Sequence, residues 1–240
     1  SFELALAEGV GVDSFNIGEH YRPDSMDSAA HVILAAIAGR TSRIRLGTAV
    51  TVLSTNDPVR LYADYATLDA VSDGRAQLIV GRGSATESFP LFGYDLADYE
   101  ELFEEKLDLL TRLLRSQPVT WAGRFRSQLV NQRVNPPLPE GHLPVWVGVG
   151  GSPESVMRAA RFNLPLMLAV IGGRPERFAP YIELYKGALT EYQRPELPVG
   201  MHTLGYVAAT DDQAHATQWP AYEAAFGQVA RERGWQMPTY

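Results

Sequence analysis

The chain has no cysteine, which excludes disulfide bonds, thiolate metal ligands and a cysteine nucleophile. Such a composition suits a reducing compartment, and the cytoplasm is the expected location. No stretch approaches the ~20 consecutive apolar residues of a membrane span, and no secretory hydrophobic segment opens the chain. A formal net charge of -7 argues against a nucleic-acid or acidic-membrane surface. Lysine is nearly missing: Lys106 and Lys186 stand alone among 21 basic residues, an arginine bias that reads as codon usage. His20, His31, His142, His202 and His215 are scattered, with neither His-x-x-His nor His-Glu-x-x-His spacing, so no metal is expected. A hydrolase triad has no Gly-x-Ser-x-Gly elbow to stand on. An initiator Met is also lacking, and the helical pattern already present at Ser1-Phe2-Glu3 points to a trimmed N-terminus.

What is present reads as an ordinary globular chain. It has 240 residues, 45% hydrophobic and 20% charged, and is read as one domain over 1–240. Its most informative stretch is Val145-Trp146-Val147-Gly148-Val149-Gly150-Gly151-Ser152-Pro153-Glu154-Ser155. A β-type run stops on paired glycines, and a helix then opens with Ser as N-cap, Pro in its first position and an acid in its first turn. Free amides at such a helix start form a ready site for a phosphate. The device returns about one βα unit later, at 166–171 followed by Gly172-Gly173-Arg174-Pro175-Glu176.

The rest of the chain keeps this rhythm. Helices are expected at 2–8, 28–39, 57–72, 97–115, 176–190 and 212–233, besides the one opened by Ser152. Strands are expected at 12–17, 44–52, 76–80, 145–149 and 166–171, and within 199–209. The 97–115 helix is acidic at its start and basic at its end, with Leu102, Phe103, Leu107, Leu110 and Leu114 as its buried stripe. Residues 117–144 form an irregular insertion, with a small hairpin near Val119 and an extended Pro136-Pro137-Leu138-Pro139 connector. Six strands alternating with helices imply a parallel sheet under helical cover. The choice lies between an open doubly wound sheet and a (β/α)8 barrel. Six strands in this length suit a TIM-type α/β barrel that lacks its first and last strands.

In such a barrel the active site forms at the carboxyl ends of the strands. Those ends carry Glu19-His20, Thr48-Ala49-Val50, Arg82-Gly83-Ser84 and Gly150-Gly151-Ser152. Small residues, one arginine and one histidine around a common mouth suit a flat, phosphorylated, redox-active ligand. Taken singly, each has a plainer reading: a structural histidine, an Arg82 paired with an acid such as Glu87, a tight Gly-Gly-Ser-Pro turn.

With these motifs in order, the chain resembles the luciferase-like, flavin-dependent monooxygenases. The matching stretches are Gly18-Glu19-His20-Tyr21-Arg22-Pro23, the run from Arg40 to Val50, Asp57-Pro58-Val59-Arg60, Leu68-Asp69, Gly74-Arg75, Gly81-Arg82-Gly83, Gly150 to Ser155 and Leu164-Pro165. The resemblance implies a (β/α)8 barrel that uses reduced FMN supplied by a separate reductase, with O2 and a small organic substrate. It maps the catalytic histidine to His20, and to Ala49–Val50 a cis peptide that supports the flavin ring. Arg82, Gly83 and Ser84, together with Gly150, Gly151, Ser152 and Ser155, fall on the cofactor-binding positions. Gly151 stands where bacterial luciferase has an acid, which removes a side chain but leaves a backbone amide; Gly81 stands where it has a cysteine, which counts against light emission itself. Thr86, Glu87, Phe89, Phe92 and Tyr94 fall on the substrate side, although Phe89 and Phe92 equally suit mere loop anchors; the length of the 121–133 loop suggests a lid. Two alternatives remain open: hydride transfer with the deazaflavin F420, or a non-catalytic flavin-binding protein. A homodimer is a further implication of the resemblance.

Overall fold

A computed structural model describes residues 2–83, 86–139, 142–171 and 174–233. After helix α1 (Phe2–Gly9), the chain alternates β1 (Ser14–Ile17), α2 (Ala30–Ala38), β2 (Arg45–Val52), α3 (Pro58–Val71) and β3 (Leu78–Gly81). A short α4 (Ser88–Leu91) and a 3-10 turn at Leu96–Asp98 lead into the long α5 (Tyr99–Arg115). An antiparallel hairpin, β4 (Val119–Trp121) with β5 (Leu129–Gln132), fills the irregular insertion. The alternation resumes with β6 (Val145–Val149), α6 (Pro153–Arg161), β7 (Leu166–Val170), a 3-10 turn at Pro175–Phe178, α7 (Ala179–Glu191), β8 (Val199–Thr203) and α8 (Asp211–Arg233).

The six main strands pair in parallel in the order β1-β2-β3-β6-β7-β8, a curled sheet with helices between successive strands. This is the α/β barrel architecture that the sequence implies. Among the described residues β1 and β8 share no ladder, and no helix is long and apolar enough to cross a membrane. The paired Gly172-Gly173 lie outside the described residues.

Local signals explain most of the boundaries. Asp57 caps α3 by accepting from the amides of Val59 and Arg60, with Pro58 at the first position. Ser152 caps α6 in the same manner, again followed by proline. The 28–39 helix starts later than expected, at Ala30, because its N-cap position is Ala29 and no side chain caps it. In α5, Leu102, Phe103, Leu107 and Leu110 are buried as expected, whereas Leu114 is half-buried and Leu113 takes the core position. Lys106 is buried on that stripe too. Its Nζ donates to the Ser54 carbonyl at 2.6 Å and stands 3.9 Å from the Tyr94 ring centre. Burial pushes its pKa down to about 8, against the opposing pull of Asp57 and Glu105.

One buried arginine fastens the amino-terminal end of the sheet. Arg75 donates to the carbonyls of Ser72 (2.6 Å), Ala38, Thr41 and Ile44 (each 3.0 Å) and to the Thr41 hydroxyl (2.9 Å). It thereby satisfies the ends of α2 and α3 and the entry to β2 at once. Beside it, Asp69 holds His142 at 2.5 Å, and Gly74, at φ +77, leaves room for that imidazole. Gly74-Arg75 and Leu68-Asp69 are therefore framework elements at the end of the barrel where stability, not chemistry, resides. Arg75→Met should lower the unfolding free energy by about 3 kcal/mol or more, since several buried carbonyls lose their donor. A urea titration checks this: the midpoint falls at unchanged slope, and a shift worth under about 1 kcal/mol would contradict it.

Candidate functional site

The opposite end of the sheet gathers the residues with chemical potential. Where β1 ends, Glu19 turns into the protein, 8% exposed, and His20 turns outward. The Glu19 carboxylate accepts from the Val52 amide (3.1 Å), Asn56 Nδ2 (2.9 Å) and the Tyr21 hydroxyl (2.8 Å). It ties the end of β1 to the end of β2. Burial raises its pKa, and those hydrogen bonds together with the nearby His20 oppose the rise. Tyr21 is likewise pushed up, by burial and then by the adjacent Glu19 charge. His20 Nδ1 lies 2.8 Å from Asp27 Oδ2, and the imidazole side chain is 42% exposed.

At the end of β2 the Ala49–Val50 peptide is cis, and the pairing of β2 with β3 shifts register between Ala49 and Thr51. Val50 reaches across three strands. A Cβ at Gly81 would lie 2.8 Å from Val50 Cγ2, and one at Gly148 only 2.6 Å from Val50 Cγ1. Glycine at both positions is therefore a packing requirement. Gly81 makes room for Val50 at the position where bacterial luciferase is expected to have cysteine.

Arg82 leaves β3 and pairs with Glu100 of α5, not with Glu87; its guanidinium stacks 5.1 Å from the Tyr99 ring centre. Tyr99 in turn donates to the Gly83 carbonyl at 2.7 Å, and Gly83 adopts φ +82. Burial lowers the Arg82 pKa; Tyr99 opposes this, Arg158 adds to it and Glu154 opposes it. Ser84 lies outside the described residues.

The β6 exit completes the arrangement. Gly150 has open space where a Cβ would project, Gly151 sits at φ +117, and Tyr181 donates to the Gly151 carbonyl at 2.7 Å. The Ser152 hydroxyl receives the Ser155 amide at 3.4 Å and donates to Glu154 at 2.7 Å. Ser155 is buried, and its hydroxyl lies 3.5 Å from Arg158 Nη1. Arg158 is buried as well, donating to Glu100 at 2.8 Å and Glu104 at 2.9 Å. The structure thus joins Arg82 to the serine turn through Glu100 and Arg158, neither of which the sequence singles out. Arg158 had one available signal: it follows Ser155 by three positions on the same helix, hence on the same face.

The expected substrate-side residues divide. Phe89 is fully buried and stacked on Tyr99 at 5.5 Å, so it anchors its loop. Phe92 is 46% exposed and meets the Tyr21 ring edge-on at 5.0 Å. Tyr94 packs against Lys106. The hairpin tip is tied down by Arg126 to Asp57 (2.7 Å) and by the Arg124 and Phe125 amides to Glu105 (2.6 and 3.0 Å). Among the described residues no three acidic, histidine or cysteine side chains form a group that could hold a metal ion.

Comparisons with known proteins identify the family and the fold. The family model described as luciferase-like monooxygenase matches residues 3–238. The alkanal monooxygenase alpha chain of Photorhabdus luminescens is 29% identical over 208 residues, which is 86% of this chain and 57% of that protein. An F420-dependent glucose-6-phosphate dehydrogenase of Amycolatopsis mediterranei is 30% identical over 153 residues, 60% of this chain and 45% of that protein. The crystal structure of monooxygenase RslO1 from Streptomyces bottropensis superimposes with a TM-score of 0.85 at 26% identity, over 95% of this chain and 71% of that one. The chain spans about half the length of the curated relatives it matches.

Two guanidiniums facing one carboxylate beside a helix start should attract an anion in competition with that carboxylate. Glu100→Gln is therefore expected to tighten binding of inorganic phosphate several-fold, and Arg158→Met to weaken it, by isothermal calorimetry. Weaker phosphate binding in Glu100→Gln would contradict the arrangement.

Proposed function

This chain belongs to the luciferase-like monooxygenase family, and on that premise we propose that it is a flavin-dependent monooxygenase acting on a small organic substrate with O2. The observation that carries the reading is the convergence of Arg82, Ser152 and Ser155 about Glu100 and Arg158 at the carboxyl ends of β3 and β6. These residues suit a phosphorylated cofactor: two guanidiniums, two hydroxyls and an open glycine turn lie at neighbouring strand ends, and a phosphate would displace Glu100 from Arg82 and Glu154 from Ser152. Reduced FMN, when bound, supplies the electrons for oxygen activation.

The chain's own residues divide the remaining work. Arg82 pairs with the phosphate of FMN, with backbone support from Gly83 and Ser84. Ser152 and Ser155 donate their hydroxyls to the same phosphate, and the amides about Gly150 and Gly151 add to the positive end of α6. Ala49 and the methyls of Val50 give the ring system an apolar floor. Tyr21 and Phe92 wall the substrate side, and the β4–β5 hairpin shields the mouth from water. His20 accepts and returns a proton beside the flavin. Reduced flavin reaches the site from a separate reductase in the cytoplasm, and the working form is a homodimer.

Hydride transfer with F420 is the second reading, favoured by the likeness to the F420-dependent dehydrogenase. A purely binding role is disfavoured by the retained His20 and its carboxylate partner.

Anaerobic titration with reduced FMN tests the proposal. Saturable binding is expected, weakened at least about tenfold by Arg82→Ala, which removes a charge-assisted contact to phosphate. Admission of oxygen should then reoxidise the bound flavin at a rate that His20→Ala changes. No binding of reduced FMN would sink the monooxygenase reading, and binding of F420 in its place would establish the second.

A further inference from the structure

The loop between β1 and α2 carries a carboxylate that the cofactor site does not use. Asp27 lies two residues before the Ala29 N-cap position of α2, close enough to the helix start for its charge to suit the dipole. The helix start has no side-chain cap, and Asp27 Oδ2 lies 2.8 Å from His20 Nδ1. The other oxygen, Oδ1, is buried and has no hydrogen-bond partner. The carboxylate is therefore committed to the imidazole alone. His20 Nδ1 has this partner, whereas Nε2 has none among the described residues.

The backbone makes room for the pair. A Cβ at Gly18 would lie 2.4 Å from His20 Cε1, 3.0 Å from its Nδ1 and 3.2 Å from Asp27 Oδ2. Any side chain there would displace both members. The neighbouring charges are otherwise engaged: Glu19 with Val52, Asn56 and Tyr21, and Arg22 with Asp24 at 3.4 Å.

We infer that Asp27 is the positioning residue for His20, holding the imidazole with its proton on Nδ1 and leaving Nε2 as the proton acceptor of the site. A carboxylate on Nδ1 accepts that N–H, so the neutral ring presents its lone pair at Nε2. When a substrate or cofactor group gives up a proton, its bond to hydrogen breaks and an Nε2–H bond forms. The resulting imidazolium keeps its Nδ1 proton, hydrogen-bonded to Asp27. Return of the proton restores the starting tautomer. The catalytic use of the pair rests on the function proposed above; the tautomer itself does not.

The test is nitrogen-15 NMR of histidine-labelled, cofactor-free protein, with the His20 signals assigned by their loss in His20→Ala. The expected result is the Nδ1–H tautomer in the parent. Asp27→Asn and Asp27→Ala should each shift the ring toward the Nε2–H form while leaving circular dichroism and the affinity for reduced FMN within about twofold. Gly18→Ala should disturb the same signals by a different route, which guards against a variant that misfolds. In oxygen-dependent reoxidation of bound flavin, the Asp27→Asn, His20→Ala double variant should behave as His20→Ala alone, since the two residues act as a unit. An unchanged His20 tautomer in both Asp27 variants would overturn the inference, whatever the flavin titration gives. A shifted tautomer in protein that fails to bind reduced FMN would uphold the pair and remove the proposed function instead.

Discussion

The candidate site depends on two guanidiniums that share the Glu100 carboxylate, one of them held by Glu104 as well. Arg82 comes from the end of β3 and Arg158 from the second turn of α6, and both donate to Glu100 on α5. Two like charges that share a partner repel each other, so they need counter-ions or a ligand. Glu100 and Glu104 are those counter-ions, and an incoming phosphate would compete with Glu100. The turn that opens α6, capped by Ser152 and lying at the positive end of the helix dipole, adds to the same demand for negative charge.

Placing that spot requires a division of labour along the barrel axis. The amino-terminal end of the sheet is fastened by Arg75 and by the His142–Asp69 pair, both buried or half-buried and at the opposite end from the candidate site. At the carboxyl end, Glu19 locks β1 to β2, and Lys106 locks the loop after β2 to α5. Val50 then spans the glycine faces of β3 and β6. The loops that bear His20, Arg82 and Ser152 are thus set on rigid neighbours, which is what a site needing accurate geometry demands.

The division also accounts for what could be read from residues alone. The Ser152-Pro153-Glu154 start and the Asp57-Pro58 start are legible because a cap and its helix are neighbours in sequence. The alternation that implies the barrel is legible for the same local reason; the strand ends offered His20 and Arg82, and the resemblance added their roles and the cis Ala49–Val50 peptide. Arg158 and Glu100, by contrast, meet across 58 positions, and nothing local selects that acid from its neighbours on α5. Asp27 is hidden in another way: nothing in the loop before α2 selects it from its neighbours, and only the fold turns it to His20. Lys106 breaks the rule that a charged side chain marks a solvated face, because a carbonyl and an aromatic ring await its ammonium inside.

A crystal structure of the protein with FMN tests the central claim most directly. The account predicts the phosphate within hydrogen-bond reach of the Arg82 guanidinium and of the Ser152 and Ser155 hydroxyls, with the ring system resting against Val50. A phosphate bound elsewhere, with Arg82 still engaged by Glu100 alone, would contradict it.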